Sequence, residues 1–158
     1  MYLSTTFKES STTALPRLWI RQVRNGLNLL APVGDLMIRI WVARVFWLSG
    51  LTKIESFDTT LQLFRYEYSV PLLPPEVAAY LATFSELIFS VLLILGLFGR
   101  FSAAALFLLN LVAVISYPDL DANAIGYHKL WGLMLLVPLL HGPGKLSVDF
   151  FITKKFGL

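Results

Sequence analysis

The stretch Val77–Gly99, VAAYLATFSELIFSVLLILGLFG, is almost wholly apolar and carries one ionisable side chain, Glu86, near its middle. An α-helix rises about 1.5 Å per residue, so a run of this length covers roughly 34 Å, enough to cross a bilayer core of about 30 Å. A carboxylate at that depth costs on the order of 2.5–3.5 kcal/mol on insertion scales, and is tolerated with a partner or a water-filled cavity. What answers Glu86 therefore constrains both the fold and the function.

The rest of the chain agrees with a membrane protein. Its 158 residues are 56% hydrophobic and 15% charged, whereas soluble domains run about 45–50% apolar and about 25% charged. The apolar residues fall in long blocks, and the length suits one compact bundle. There is no cysteine, which excludes disulfides, thiolate metal sites and CxxC redox chemistry, so electron transfer needs a bound cofactor or a partner subunit. The formal charge of +3 comes from basic residues beside apolar blocks, a positive-inside pattern rather than a nucleic-acid surface. No cleavable signal peptide is expected, because the first apolar block is followed by no small-residue cleavage site.

The expected fold is all-α: an integral membrane four-helix bundle, up-down-up-down, with spans at about 34–54, 77–99, 101–117 and 127–142. Residues 1–31 precede the 32–150 domain. Met1–Thr13 is a polar tail expected to be disordered. Leu15–Leu30 alternates Leu15, Leu18, Trp19, Val23 and Leu27 with Arg17, Arg21 and Arg24 on the opposite face, as an amphipathic helix lying on anionic lipid does. Within the loop 55–75, Phe57, Leu61, Phe64 and Tyr68 recur at helical spacing, which predicts an interfacial turn of helix. Residues 151–158 form a tail. Lys8, Arg17, Arg21, Arg24, Arg100, Lys145, Lys154 and Lys155 fall on one side, against Lys53, Arg65 and Lys129 on the other. That asymmetry places both termini in the cytoplasm of a bacterial inner-membrane protein.

Counting from the span ends puts Arg44, Glu86 and Asn110 at about 14–15 Å depth on three helices. Desolvated charges need compensation, so an Arg44–Glu86 pair with Asn110 bonded nearby is the expected arrangement. Such a cluster either holds helices together without a ligand or borders a pocket for a quinone-like or other small polar molecule. A proton path has only one carboxylate in its favour. Arg39 stands about five residues from the inner face, where it can snorkel to headgroups. At the opposite face Lys53, Glu55, Asp119, Asp121 and His128 form a polar group whose spacing matches no metal motif.

Arg39, followed by Arg44-Val-Phe-x-x-Ser-Gly-Leu-Thr-Lys53, resembles the first-helix signature of the DoxX family of small bacterial membrane proteins. The Ser85-Glu86 element, the Leu-Gly-Leu-Phe-Gly-Arg100 turn and the closing Gly142-Pro-Gly-Lys-Leu-Ser-Val-Asp149 segment are similar to the same family, and the likeness covers about residues 34–150. The resemblance implies functional weight at Arg39, Lys53, Glu86 and Arg100, whereas Arg44 and Asn110 rest on depth alone. It further implies association with thiosulfate:quinone oxidoreductase or oxidative-stress complexes. The Val70-Pro-Leu-Leu-Pro-Pro-Glu76 loop resembles members encoded beside small metal-responsive peptides. With no cysteine, no residue here can carry a sulfur intermediate.

Three functions follow as expectations. The first is a non-catalytic membrane subunit or anchor of a redox or metal-handling system, because no nucleophile, thiol or metal motif stands out. It implies protein partners and allows a homo-oligomer. The second is a quinone-binding enzyme subunit, and the third a small oligomeric transporter.

Overall fold

A computed structural model describes residues 14–157. Met1–Thr13, read from the sequence as a disordered tail, lies outside the described residues. Within them are six helices and no strand: α1 Ala14–Glu55, α2 Phe57–Tyr66, α3 Pro75–Leu95, α4 Gly99–Ser116, α5 Ala122–His141 and α6 Val148–Phe156.

The chain divides into two units, one ending at Ala31 and the other beginning at Pro32. The segments read separately as Leu15–Leu30 and Gly34–Ile54 both belong to the single element α1, which contains Pro32. A proline in a helix removes one backbone hydrogen bond without necessarily ending the element. In the N-terminal unit Trp19, Ile20, Val23 and Leu27 are exposed.

The second unit is organised by its helix ends. Pro74 and Pro75 start α3, where a missing N–H costs little. The helix stops at Leu95 because Gly96 turns left-handed, at φ +66°, and its N–H closes on Leu92 and Leu93. The apolar run therefore continues to Gly99 but the helix does not. Asp121 caps α5 by accepting from the Ala124 N–H at 2.7 Å, so α5 begins several residues before the expected Tyr127. Ser147 caps α6 in the same way, which gives the expected polar tail a helix of its own.

Val42, Ala43 and Phe46 of α1, Leu93 of α3, Ala103 and Leu106 of α4, and Leu135 of α5 form one buried cluster. A second cluster joins Phe64 of α2 to Ala78, Ala79 and Ala82 of α3. The small residues of α3 let α2 lie close, so the periodic loop segment is a packed helix rather than a free turn. α3 and α4 are long and apolar enough to cross a membrane. Both carry large apolar side chains facing outward, including Phe84, Ile88, Leu108, Leu111 and Ile115. The other two expected spans are more polar, with Asp35, Arg39, Arg44 and Lys53 in one and His128 and Lys129 in the other.

Arg39 corrects an expectation. Rather than snorkelling, it is 1% exposed, and its guanidinium donates to the carbonyls of Leu93 and Ile94, each at 3.2 Å, and to that of Leu146. The last carbonyls of a helix lack partners within it, and a nearby cation satisfies them. Asp149 completes the corner by accepting from the Phe98 and Gly99 N–H groups at 2.9 and 2.8 Å, while its own N–H donates to Gly96. Two stretches distant in sequence, at Arg39 and at 146–149, thus lock the α3–α4 turn.

Candidate functional site

The site begins with a close approach. A Cβ on Gly50 of α1 would meet Leu87 Cγ at 2.9 Å and Glu86 Cβ at 3.1 Å, so glycine lets α1 lie this near α3 without displacing those side chains. Ser49 and Lys53 flank that contact one helical turn apart, on the same face of α1. Lys53 Nζ donates to Glu86 Oε1 at 2.9 Å, to Glu86 Oε2 at 2.8 Å and to Ser49 Oγ at 2.8 Å. The Ser49 hydroxyl donates in turn to Glu86 Oε1 at 3.1 Å. The Lys53 and Glu86 side chains are only 20% and 9% exposed. Thr60 Oγ1 of α2 bonds the Lys53 carbonyl at 3.2 Å and holds the end of α1.

The expected Arg44–Glu86 pair is therefore corrected: Arg44 is exposed and Glu86 belongs to Lys53. Two physical reasons account for it. Arg44 stands about 140° around α1 from Ser49 at a 100° step, off the face that meets α3. Depth counting also assumed level helix ends. Gly50 lies level with Glu86, with five residues of α1 beyond it and eleven of α3. The overhang is about 9 Å at 1.5 Å per residue, and α2 packs there.

Asn110 also parts from the expected cluster. Its Nδ2 donates to the His128 carbonyl at 2.9 Å, and its Oδ1 lies 2.8 Å from His128 Nδ1, which ties α4 to α5. Since Asn110 Oδ1 can only accept, the proton sits on His128 Nδ1 and leaves Nε2 as an acceptor. The outer-face group is not brought together: Asp121 caps α5, Asp119 is exposed, and His128 faces Asn110 and Trp131. Arg100 is exposed beside Gly142.

Two cavities adjoin the ion pair. One, of about 290 Å³, lies among α2, α3 and α4, with Phe64, Leu81, Leu108 and Val112 in its walls. The other, of about 250 Å³, lies among α1, α4 and α5, with Phe46, Tyr117, His128 and Trp131 in its walls. Lys53, Tyr68, Glu86, Leu109 and Ala113 line both, so the pair stands where they meet. Ser116 lines the larger cavity, is 1% exposed, and has no hydrogen-bond partner for its Oγ among the described residues. Tyr68 stacks against Phe64 and tilts onto Tyr117. Burial, with Tyr117, Glu86 and Glu67 nearby, pushes its phenol up, so at neutral pH it keeps its proton and can donate.

Ser49, inside the DoxX-like signature, Tyr68, inside the periodic loop, and Ser116 were not expected as site residues. The four-residue spacing of Ser49 and Lys53 was a usable signal for the first. For Tyr68 it was the helical spacing shared with Phe64, on which it stacks, and for Ser116, at a helix end, there was none.

This arrangement offers an apolar chamber with a shielded charge pair at one point and an unsatisfied hydroxyl at another. The DoxX family profile matches residues 34–118. An uncharacterised protein of Haemophilus influenzae is 35% identical over 130 residues, 78% of this chain and 86% of that protein. The putative oxidoreductase CatD of Bacillus subtilis is 31% identical over 131 residues, 81% of this chain and 93% of that one. The inner membrane protein YphA of Escherichia coli is 34% identical over 130 residues, 75% and 89% of the respective chains. No solved structure matches the chain significantly.

Proposed function

The chain belongs to the DoxX family of membrane proteins, and from that premise we propose that it is a non-catalytic inner-membrane subunit of a redox or oxidative-stress system, seating a quinone-like molecule beside Lys53 and Glu86. The observation that carries this reading is the shielded Lys53–Glu86 pair at the junction of two cavities. A pair serving only to join helices needs no such space beside it. Phe64, Leu81, Leu108 and Val112 suit a flat apolar ring, and Glu86, Tyr68 and Ser116 suit its polar edge. Phe64, Leu81, Leu108 and Val112 would hold such a ring, and a quinone there would supply redox chemistry that the side chains of this cysteine-free chain lack.

In this proposal the 34–54 part of α1, with α3, α4 and α5, crosses the membrane as an up-down-up-down bundle with both termini cytoplasmic. The outward apolar side chains of α3 and α4 support lipid contact, since apolar patches of that extent are rare on soluble monomers. The exposed Trp19, Ile20, Val23 and Leu27 support lipid contact for the N-terminal unit as well. The name of the Bacillus subtilis relative, putative oxidoreductase, agrees with a redox setting. Native mass spectrometry of the full chain purified from its own membranes tests the reading. An aromatic, redox-active adduct is expected, and its loss in a variant with the larger cavity filled by Ala105→Phe ties it to the site. A chain that carries only phospholipid contradicts it.

A further inference from the structure

The hydrogen bonds at the pair fix which form of ligand the larger cavity accepts. An ammonium has three N–H donors, and an ionised carboxylate has about four acceptor positions. All three donors of Lys53 are engaged, one on Ser49 Oγ and one on each oxygen of Glu86. Three acceptor positions of Glu86 are taken, two on Oε1 by Ser49 and Lys53 and one on Oε2 by Lys53. One position on Oε2 remains free. The pair therefore presents a vacant acceptor and no vacant donor to the cavity that it lines.

We propose that this cavity selects an aromatic molecule bearing a hydroxyl, a phenol or quinol, over the matching carbonyl compound, with the hydroxyl donating to Glu86 Oε2. The proposal rests on the reading that the cavity seats a ligand. A hydroxyl adds a hydrogen bond to those already present. To bond the pair itself, a carbonyl must first take a proton donor from Ser49 or Glu86, breaking a bond made in a shielded site, where an unmade bond is expensive. The Tyr68 hydroxyl and Ser116 Oγ, the latter buried and without a partner among the described residues, can each donate and accept, so they contact either form and do not discriminate. The tetramethyl-substituted pair, duroquinol and duroquinone, differs at the ring only in hydroxyl against carbonyl and suits a chamber of about 290 Å³.

The test is anaerobic titration of the purified full chain in detergent with duroquinol, duroquinone and the dimethyl ether of duroquinol. Duroquinol is expected to bind about tenfold or more tightly than the other two, the gain from one added hydrogen bond to a charged acceptor. Glu86→Gln should abolish the preference, and Ser116→Ala should weaken both redox forms alike. Equal binding, a preference for duroquinone, or a preference carried by Ser116 overturns the inference and leaves the ligand cavity standing. Failure of all three probes to bind overturns the cavity reading too. If Glu86→Gln does not fold, the wild-type ratio of duroquinol to its dimethyl ether decides alone.

Discussion

Gly50 on α1 lies so close to Leu87 on α3 that a methyl group in place of its hydrogen would stand 2.9 Å from Leu87 Cγ. This contact sets the register in which Ser49 and Lys53 reach Glu86. Leu87 is a flexible side chain and can yield to a methyl group, whereas a leucine at position 50 must separate the helices. Gly50→Leu is expected to cost about 1–3 kcal/mol through overpacking and to lose ligand binding, read as a lower unfolding temperature in detergent and a lost titration. A leucine variant with wild-type stability contradicts the register.

Lys53 and Glu86 make a coupled pair, so their substitutions should not add. Removing one partner from a fully buried pair costs about 3–5 kcal/mol. With Lys53 one-fifth exposed, Lys53→Met alone is expected to cost about 2 kcal/mol after allowing for solvent. Lys53→Met combined with Glu86→Gln should cost less than the sum of the two changes. Equilibrium unfolding of the four species gives the coupling, and strict additivity would show that the pair contributes nothing to the fold.

The corner around Arg39 should behave as pure structure. Asp149→Ala leaves two N–H groups at the start of α4 without their carboxylate and is expected to cost about 2 kcal/mol. Gly96→Ala combines a left-handed backbone with a Cβ that collides with the Arg39 guanidinium and the Ser147 Cβ, and is expected to cost more, about 3 kcal/mol. Neither residue lines the two cavities, so a folded Asp149→Ala protein should bind ligand normally; altered affinity would connect the corner to function.

The absence of cysteine makes engineered thiols clean reporters of topology. Asp119→Cys in the α4–α5 loop is expected to react with an impermeant maleimide in intact spheroplasts. Lys154→Cys on α6 should react only after lysis. The reverse pattern, or labelling of both in intact cells, contradicts cytoplasmic termini.

The sequence carried the helical character of the chain and the need of Glu86 for a partner, because a lone carboxylate in an apolar run needs an answer. It did not carry the answer. Lys53 looked like an end-of-helix cation because the overhang of α3 past α1, and the docking of α2 into it, depend on Gly50, Ala78, Ala79 and Ala82 seen together. Arg39 looked like a snorkelling residue because its true partners are backbone carbonyls, which leave no mark in a sequence. Asn110 bonds His128 and not the expected pair, since His128 sits on a helix that Asp121 starts early. The motifs shared with the family fell into two groups only in three dimensions. Arg39, the Gly96–Gly99 turn and Asp149 lock a corner, while Lys53 and Glu86 border the cavities.

Titration of the purified protein with decylubiquinone, followed by quenching of tryptophan fluorescence, tests the central claim most directly, because Trp131 lines the smaller cavity beside the pair. Saturable binding is expected in the wild type, lost in Ala105→Phe, where the added ring occupies the larger cavity, and retained in Asp149→Ala. Absence of saturable binding by both decylubiquinone and its quinol, or binding undiminished by Ala105→Phe, would mean that Lys53 and Glu86 join helices and hold no ligand.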